Sequence, residues 1–398
     1  MFKLKKESNY NSILTVNYYL FSILRNILLY LPVLVLFLEM TLNNSVKVGT
    51  VLLVKSITVA ILEIPMGYVS DMISRKLSLK CSIFLNIFSL LLFIFNPTFW
   101  TLIIAEILFG ISETLSSGSD VSLIYDNYKY KNRLNLYEVY QRNEIFILSV
   151  VLALSFFLGS IIYNINHVMV FLIPIICLFL SFFILLRIPE YPYKESNAPK
   201  LSFLDNIKKT LSVVLNSNKG LVNHIIYGVL LNGLFTSVYM LLFPIVLNNS
   251  TQNKMTYGII YAVAVMLIGF GARTQGKVKS QKIEFLPITV SIVFLCSFFI
   301  NNLYFFVISL LFMRFIWGIF NSYFIIQLNH LIDHSSMRAT FFSFYSSLVN
   351  LFSGTLIFIL GIFLEKSSNF RYLFFILGIC FFVLFLIYSS YKKKRIFF

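Results

Sequence analysis

Apolar runs long enough to cross a lipid bilayer recur along the whole chain, and this feature constrains its fold most. A membrane-spanning helix needs about 20 apolar residues. With 58% hydrophobic and 12% charged residues, the 398-residue chain is too apolar for an ordinary soluble globule. We therefore expect an all-α polytopic membrane protein with twelve transmembrane helices, at residues 15–41, 46–70, 77–96, 98–126, 141–163, 167–187, 221–246, 256–273, 285–302, 304–328, 339–363 and 371–391.

The formal net charge of +16 follows the alternation of these spans. If the N-terminus is cytoplasmic, the outside loops hold only Lys47, Lys254, Lys366 and Arg371, and the other loop cations face the cytoplasm. Cytoplasmic loops of membrane proteins carry such an excess of Lys and Arg. The charge therefore predicts that both termini are cytoplasmic. It does not form the contiguous basic surface that binding to nucleic acid requires.

The chain divides into two six-span halves. The longest polar interval between spans, residues 188–220, contains five lysines and is predicted to be a cytoplasmic linker. It separates an N-terminal half, residues 1–187, from a C-terminal half, residues 221–398, which ends in a basic cytoplasmic tail. Two landmarks recur: Gly67-x-x-x-Asp71-x-x-x-Arg75 as Gly271-x-x-x-Gln275-x-x-x-Lys279, and Glu106-x-x-x-Gly110 as Arg314-x-x-x-Gly318. Internal repeats of this kind are typical of transporters.

The loop after the second span carries a family motif. Residues 63–76 read Glu-Ile-Pro-Met-Gly-Tyr-Val-Ser-Asp-Met-Ile-Ser-Arg-Lys, in which Gly67 is expected to allow a close backbone approach. This run resembles the G-x-x-x-D-x-x-x-R-[RK] signature of the major facilitator superfamily. The Glu-Ile-Pro-x-Gly-x-x-x-Asp form, with Ser117, Gly118, Tyr125 and Asp126 in the fourth span, resembles a bacterial branch of that family.

The resemblance implies secondary transport by alternating access between the two halves. It also implies a cytoplasmic gate, whose candidate residues here are Gly67, Asp71, Arg75, Lys76 and Asp126, with Arg75 paired to Asp126. The sequence departs from the wider family at Met72, Ser74, Gln275 and Glu106. The fifth span lacks the Gly-Pro-rich signature of proton-coupled drug exporters. This makes drug export a less favoured prediction but does not exclude it.

Ionisable residues inside the spans are candidates for a proton or substrate path because burying them in a bilayer costs several kcal/mol. Glu106, Glu113 and Asp120 recur every seven residues, so one continuous helix would place them near one face. Glu113, expected near mid-membrane, is the first choice for a proton-carrying acid. Arg25 is expected to pair with Glu113 or Asp120. Each of these residues also has a structural interpretation, as a polar contact that ties helices together.

Arg314 is the only ionisable residue deep within the predicted C-terminal spans, and its surroundings there contain no acid. Its partner is a carbonyl, a water, a residue of the other half or the substrate, and an arginine facing a cavity would favour an anionic solute. Asn232, Tyr239 and Asn321 are weaker pocket candidates, since single polar residues in such helices are more often packing contacts.

The sequence favours no cofactor and no metal. The four cysteines are far apart within apolar spans, and His330 and His334 have no further ligand in view. No phosphate-binding loop indicates ATP-driven transport. We predict a monomeric proton-coupled transporter in a bacterial plasma membrane, working as an exporting antiporter for a drug or natural product. The alternatives are a membrane sensor or immunity protein, or a membrane-embedded transferase that would use His330 and Asp333.

Overall fold

The computed structural model describes residues 2–72, 74–191, 219–251, 253–278, 283, 285–331, 338–366 and 369–396. These residues are almost entirely helical. Their helices are α1 Phe2–Arg25, α2 Leu34–Leu42, α3 Ser45–Met72, α4 Arg75–Ile94, α5 Phe99–Ser116, α6 Ser119–Tyr130, α7 Leu134–Ile165, α8 Met169–Arg187, α9 Lys219–Ser237, α10 Phe243–Ser250, α11 Lys254–Thr274, α12 Leu286–Cys296, α13 Leu303–Leu331, α14 Arg338–Lys366 and α15 Phe370–Ile396.

The predicted spans coincide with apolar helices. Among the described residues, ten helical stretches are long and apolar enough to cross a membrane. Two shorter apolar stretches, Leu31–Leu42 and Leu286–Cys296, overlap the first and ninth predicted spans. The chain is therefore an all-α polytopic membrane protein, as the apolar runs predict.

The helices pack as two units. Unit 1 consists of residues 1–33 and 61–203, and unit 2 of residues 34–60 and 204–398. The sequence predicts an N-terminal half at residues 1–187. The packing differs from this prediction because residues 34–60 belong to unit 2. Most of the predicted linker, residues 192–218, lies outside the described residues.

Two of the predicted spans, the first and the fourth, are interrupted helices, and both breaks lie in unit 1. The first is broken at residues 26–30, after α1, and resumes as a 3-10 turn at Leu31–Val33. The Asn26 side chain donates a hydrogen bond to the Ser22 carbonyl (2.8 Å), and Pro32 lacks the N–H that would continue the helix. Gly159 of α7 packs directly on this break, because a Cβ there would lie 2.0 Å from the Leu29 carbonyl oxygen.

The fourth predicted span is also two helices, and this corrects the expectation of one continuous helix. Gly118 adopts a left-handed conformation (φ +74°) between α5 and α6, which glycine tolerates better than any other residue. Ser117 ends α5 with its amide bonded to the Glu113 carbonyl. The Ser-Gly pair of the sequence motif therefore marks a helix break.

In unit 2 the seventh span contains a π-helical turn, Val238–Leu242, between α9 and α10. Pro244 follows this turn within the first residues of α10. A proline inside a span removes one backbone donor, and the wider i→i+5 turn accommodates the missing bond. Pi-helical turns inside longer helices are frequent at functional sites.

Candidate functional site

Arg25 forms an ion pair with Asp120 within unit 1. The Arg25 Nη1 donates to Asp120 Oδ2 at 3.0 Å, with 19% and 32% of the two side chains exposed. Arg25 is the last residue of α1 and Asp120 lies in the first turn of α6. A cation at a helix C-terminus and an anion at an N-terminus both interact favourably with the helix dipoles. The two helix breaks thus hold this pair in place.

The other two acids of the predicted stripe have different surroundings. Glu106 is buried on α5 (2% exposed), whereas Glu113 on the same helix is exposed. Asp120 belongs to the next helix, so the three carboxylates do not share one continuous helical face. Tyr30, in the break of the first span, lies within electrostatic range of both Glu106 and Glu113. The Tyr30 ring stacks on Phe171, with 5.9 Å between ring centroids.

A second polar cluster lies beside the Arg25–Asp120 pair, and the sequence interpretation did not include it. Glu144 of α7 accepts hydrogen bonds from the Tyr140 hydroxyl (2.8 Å) and from the Ser22 hydroxyl. Ser22 lies one turn before Arg25 on α1, and residues three apart on a helix are neighbours. Burial and the nearby Glu144 carboxylate raise the pKa of Tyr140. The available sequence signal was the Tyr-x-x-x-Glu spacing from Tyr140 to Glu144, which places both residues on one face of a helix.

The predicted gate contact between Arg75 and Asp126 is present in unit 1. The Arg75 guanidinium, in the first turn of α4, forms an ion pair with the Asp126 carboxylate of α6. Asp71 lies on α3, but its side chain lies outside the described part of the chain. Gly67 does not make the close approach that we expected, because a Cβ there would meet no described atom within 4 Å.

Ser74 and Lys76 tie the start of α4 to the segment after α8. Ser74 is the N-cap of α4, and its hydroxyl also donates to Glu190 Oε2 at 2.6 Å. The Lys76 ammonium donates to the carbonyls of Leu186 (3.1 Å) and Ile188 (2.6 Å). The serine that departs from the family pattern thus supplies a helix cap, which leaves an orphan N–H satisfied.

Arg314 lies in an aromatic environment within unit 2. The residue is 5% exposed, and its guanidinium carbon lies 3.5 Å from the Tyr239 ring centroid and 4.8 Å from that of Trp317. Its Nε has no hydrogen-bond partner in the described part of the protein. Tyr239 belongs to the π-helical turn, so the irregular backbone of the seventh span presents this ring to the arginine.

Of the three pocket candidates, two join this environment. Trp317 donates from Nε1 to Asn232 Oδ1 at 2.9 Å, and Asn232 Nδ2 donates to the Tyr345 hydroxyl at 2.7 Å. Tyr239 contacts Arg314 itself. Asn321 lies seven residues, or about two helical turns, beyond Arg314 on α13 and is not among its contacts. The residues of the transferase alternative, and the two histidines considered as metal ligands, lie outside what the structure describes: the His330 side chain, Asp333 and His334.

Comparison with known proteins agrees with this architecture. The family model described as Major Facilitator Superfamily matches residues 14–300. No curated protein matches the chain in sequence.

Solved transporters share the fold at low identity. The nucleoside transporter NupG superposes with a TM-score of 0.79 at 13% identity, covering 96% of this chain and 99% of NupG. An auto-inhibited POT family peptide transporter gives 0.75 at 10% identity, covering 96% and 97%. The xylose transporter XylE from E. coli, in its inward-open conformation, gives 0.68 at 15% identity, covering 94% of both chains. This chain is not an enzyme but a transporter of the major facilitator superfamily.

Proposed function

We propose that the protein is a secondary active transporter that couples the movement of a small solute to protons by alternating access. The observation that carries the proposal is the Arg25–Asp120 ion pair, which lies where two interrupted spans of unit 1 meet. Ionisable residues within the spans of a membrane protein mark ion and substrate paths. Transporters also build their sites on discontinuous helices.

The ion pair provides a way for protons to act on the protein. Protonation of Asp120 removes the charge that holds Arg25, so the contact between α1 and α6 weakens when a proton binds. Glu113 lies on the helix before the break and is exposed, so it is a place where a proton enters or leaves. The pair is therefore a proton-sensitive latch, with Glu113 and the buried Glu106 on the same path.

The Arg75–Asp126 pair is proposed as part of the cytoplasmic gate, together with Gly67, Asp71 and Lys76. It joins the start of α4 to α6, the helix whose other end holds Asp120. A change at the latch is thereby transmitted through one short helix of 12 residues to the gate. We propose export in a bacterial plasma membrane as the direction, on the resemblance of residues 63–71 and 117–126 to that branch.

Solute-dependent proton flux in proteoliposomes tests this function. Purified protein is screened with drugs, peptides and organic anions, and Asp120→Asn and Glu113→Gln are measured beside wild type. We expect at least one solute to drive a proton flux in wild type. We expect this solute-dependent proton flux to be lost in Asp120→Asn. Glu365→Gln is the matched control, because Glu365 caps Ser45 in unit 2 and glutamine keeps an acceptor oxygen.

Two outcomes would contradict the proposal. Equal proton flux in wild type and Asp120→Asn would make the ion pair purely structural. No solute flux from any member of the panel, from protein that stays folded, would favour a sensor or immunity role.

A further inference from the structure

The guanidinium of Arg314 is buried, and no carboxylate contacts it in the part of the chain that the structure describes. Its Nε has no hydrogen-bond partner among the described residues, and the rings of Tyr239 and Trp317 lie against it. A cation–π contact uses none of the five N–H donors of arginine. A buried charge is costly unless it is paired, and ring contacts offset only part of this cost. The site is therefore short of an anion.

The rings around Arg314 are held by a chain of hydrogen bonds. Trp317 lies one turn after Arg314 on α13, and its indole N–H is fixed by Asn232, which is itself fixed by the hydroxyl of Tyr345. Asn232 is 4% exposed and Tyr345 is 9% exposed. Buried polar groups that satisfy one another in this way fix a unique arrangement of side chains. The aromatic surface beside the arginine is thus preorganised.

We propose that Arg314 binds the carboxylate of a monoanionic solute whose apolar body packs against the rings of Tyr239 and Trp317. The planar donors of arginine match the two oxygens of a carboxylate. One negative charge neutralises the site, whereas a dianion such as a phosphate monoester would leave an unpaired charge beside aromatic faces. This inference deepens the proposed function, since it names the class of solute that the transporter carries.

Access to the guanidinium requires movement of the ring that covers it. Tyr239 lies on the π-helical turn, where the hydrogen bonds of the regular α-helix are already replaced. A change of this turn between π and α geometry would shift Tyr239 relative to Arg314. The same irregular turn therefore positions the ring and provides a way to uncover the cation.

Fluorescence of Trp317 tests the site directly because the chain has only two tryptophans. In a Trp100→Phe background, which removes an exposed side chain, the remaining signal comes from Trp317. Purified full-length protein is titrated with cyclohexanecarboxylate, its neutral amide and phenylphosphate. We expect a saturable change with the carboxylate, a response to phenylphosphate that is weaker by about tenfold or more, and none with the amide.

Variants of the two stacked arginines complete the test. Arg314→Gln should abolish the response, and Arg314→Lys should retain a weaker one, which shows that the site still folds. Arg371→Gln is the control, because Arg371 also lies over a ring (4.1 Å from the Phe298 centroid) but at the start of α15. An equal response to the amide, an unchanged response in Arg314→Gln, or a silent wild type would overturn the proposal.

Binding and transport are read separately in these experiments. Saturable carboxylate binding without any flux in proteoliposomes would contradict the transport function and leave the Arg314 site standing. Coupled flux of a neutral solute, with no carboxylate response from Trp317, would contradict the Arg314 site and leave transport standing.

Discussion

The arginines of the two units have opposite surroundings. In unit 1, Arg25 and Arg75 each pair with a carboxylate of α6, Asp120 and Asp126. In unit 2, Arg314 is enclosed by aromatic rings and has no carboxylate contact among the described residues. A paired arginine responds to protons through its acid, whereas an arginine without an acid is available to an external anion. The difference suggests that unit 1 carries coupling and unit 2 recognises the solute.

The largest expected effect comes from breaking the ionic pair of unit 1. Asp120→Asn should reduce coupled flux by about tenfold or more, because a hydrogen bond to a charged group is replaced by a weaker one. It also leaves Arg25 without its counter-ion, which lowers stability. The double variant Arg25→Gln with Asp120→Asn should recover stability but not flux. Survival after heating, followed by size-exclusion chromatography, measures the stability; a double variant no more stable than Asp120→Asn would argue against the pair.

Giving Arg314 an internal acid would make unit 2 resemble unit 1. In Tyr239→Glu the new carboxylate replaces the ring that now lies 3.5 Å from the guanidinium. We expect the Trp317 response to cyclohexanecarboxylate to disappear, because the new glutamate carboxylate pairs with the Arg314 guanidinium in place of the probe. Tyr239→Phe keeps a ring and should still respond. If Tyr239→Glu bound the probe as well as wild type did, the comparison between the units would lose its basis.

Alanine substitutions at the two glycines of the repeated loop motif should differ in their effect on stability, measured as survival after heating. A Cβ at Gly271 would lie 2.3 Å from the Phe315 carbonyl oxygen of α13, whereas a Cβ at Gly67 meets no described atom within 4 Å. Gly271→Ala should therefore cost about 1–3 kcal/mol, as overpacking does, and Gly67→Ala close to nothing. Equal losses of thermal stability in the two variants would show that the motif glycines have equivalent packing.

The smallest expected difference concerns two helix caps. Ser74 caps α4 and also binds Glu190, whereas Asn253 caps α11 through one bond to the Met255 amide. Replacing either by alanine should cost about 1 kcal/mol. Ser74→Ala should cost more than Asn253→Ala because it also removes the hydrogen bond to Glu190 Oε2. A larger loss of heat stability in Asn253→Ala would contradict this ranking.

The span positions could be predicted from the sequence because a bilayer demands long apolar runs, and those runs are visible residue by residue. The partner of Arg25 was also within reach, since few acids lie at compatible depths, and the partner of Arg75 followed from the resemblance to the family's loop motif. The break at Gly118 was not predicted, because an acid every seven residues favours one continuous helix and a glycine inside an apolar span is compatible with it.

Other parts of the site depend on tertiary packing. Glu144 was missed because it lies near the start of the fifth predicted span, where an acid usually faces water. Only the structure brings Ser22 and Tyr140 to it. The close approach expected at Gly67 occurs instead at its repeat counterpart, Gly271. Sequence spacing identifies both glycines but does not show which one faces a neighbouring helix.

The most direct test of the division between coupling and recognition compares exchange with net transport in one set of proteoliposomes. A labelled carboxylate solute is followed in two modes, solute exchange at equal concentrations and net movement driven by a proton gradient, for wild type, Asp120→Asn and Arg314→Gln. We predict that Asp120→Asn retains exchange and loses proton-driven movement, while Arg314→Gln loses both. Proton-driven movement that persists in Asp120→Asn, or exchange that persists in Arg314→Gln, would contradict this account.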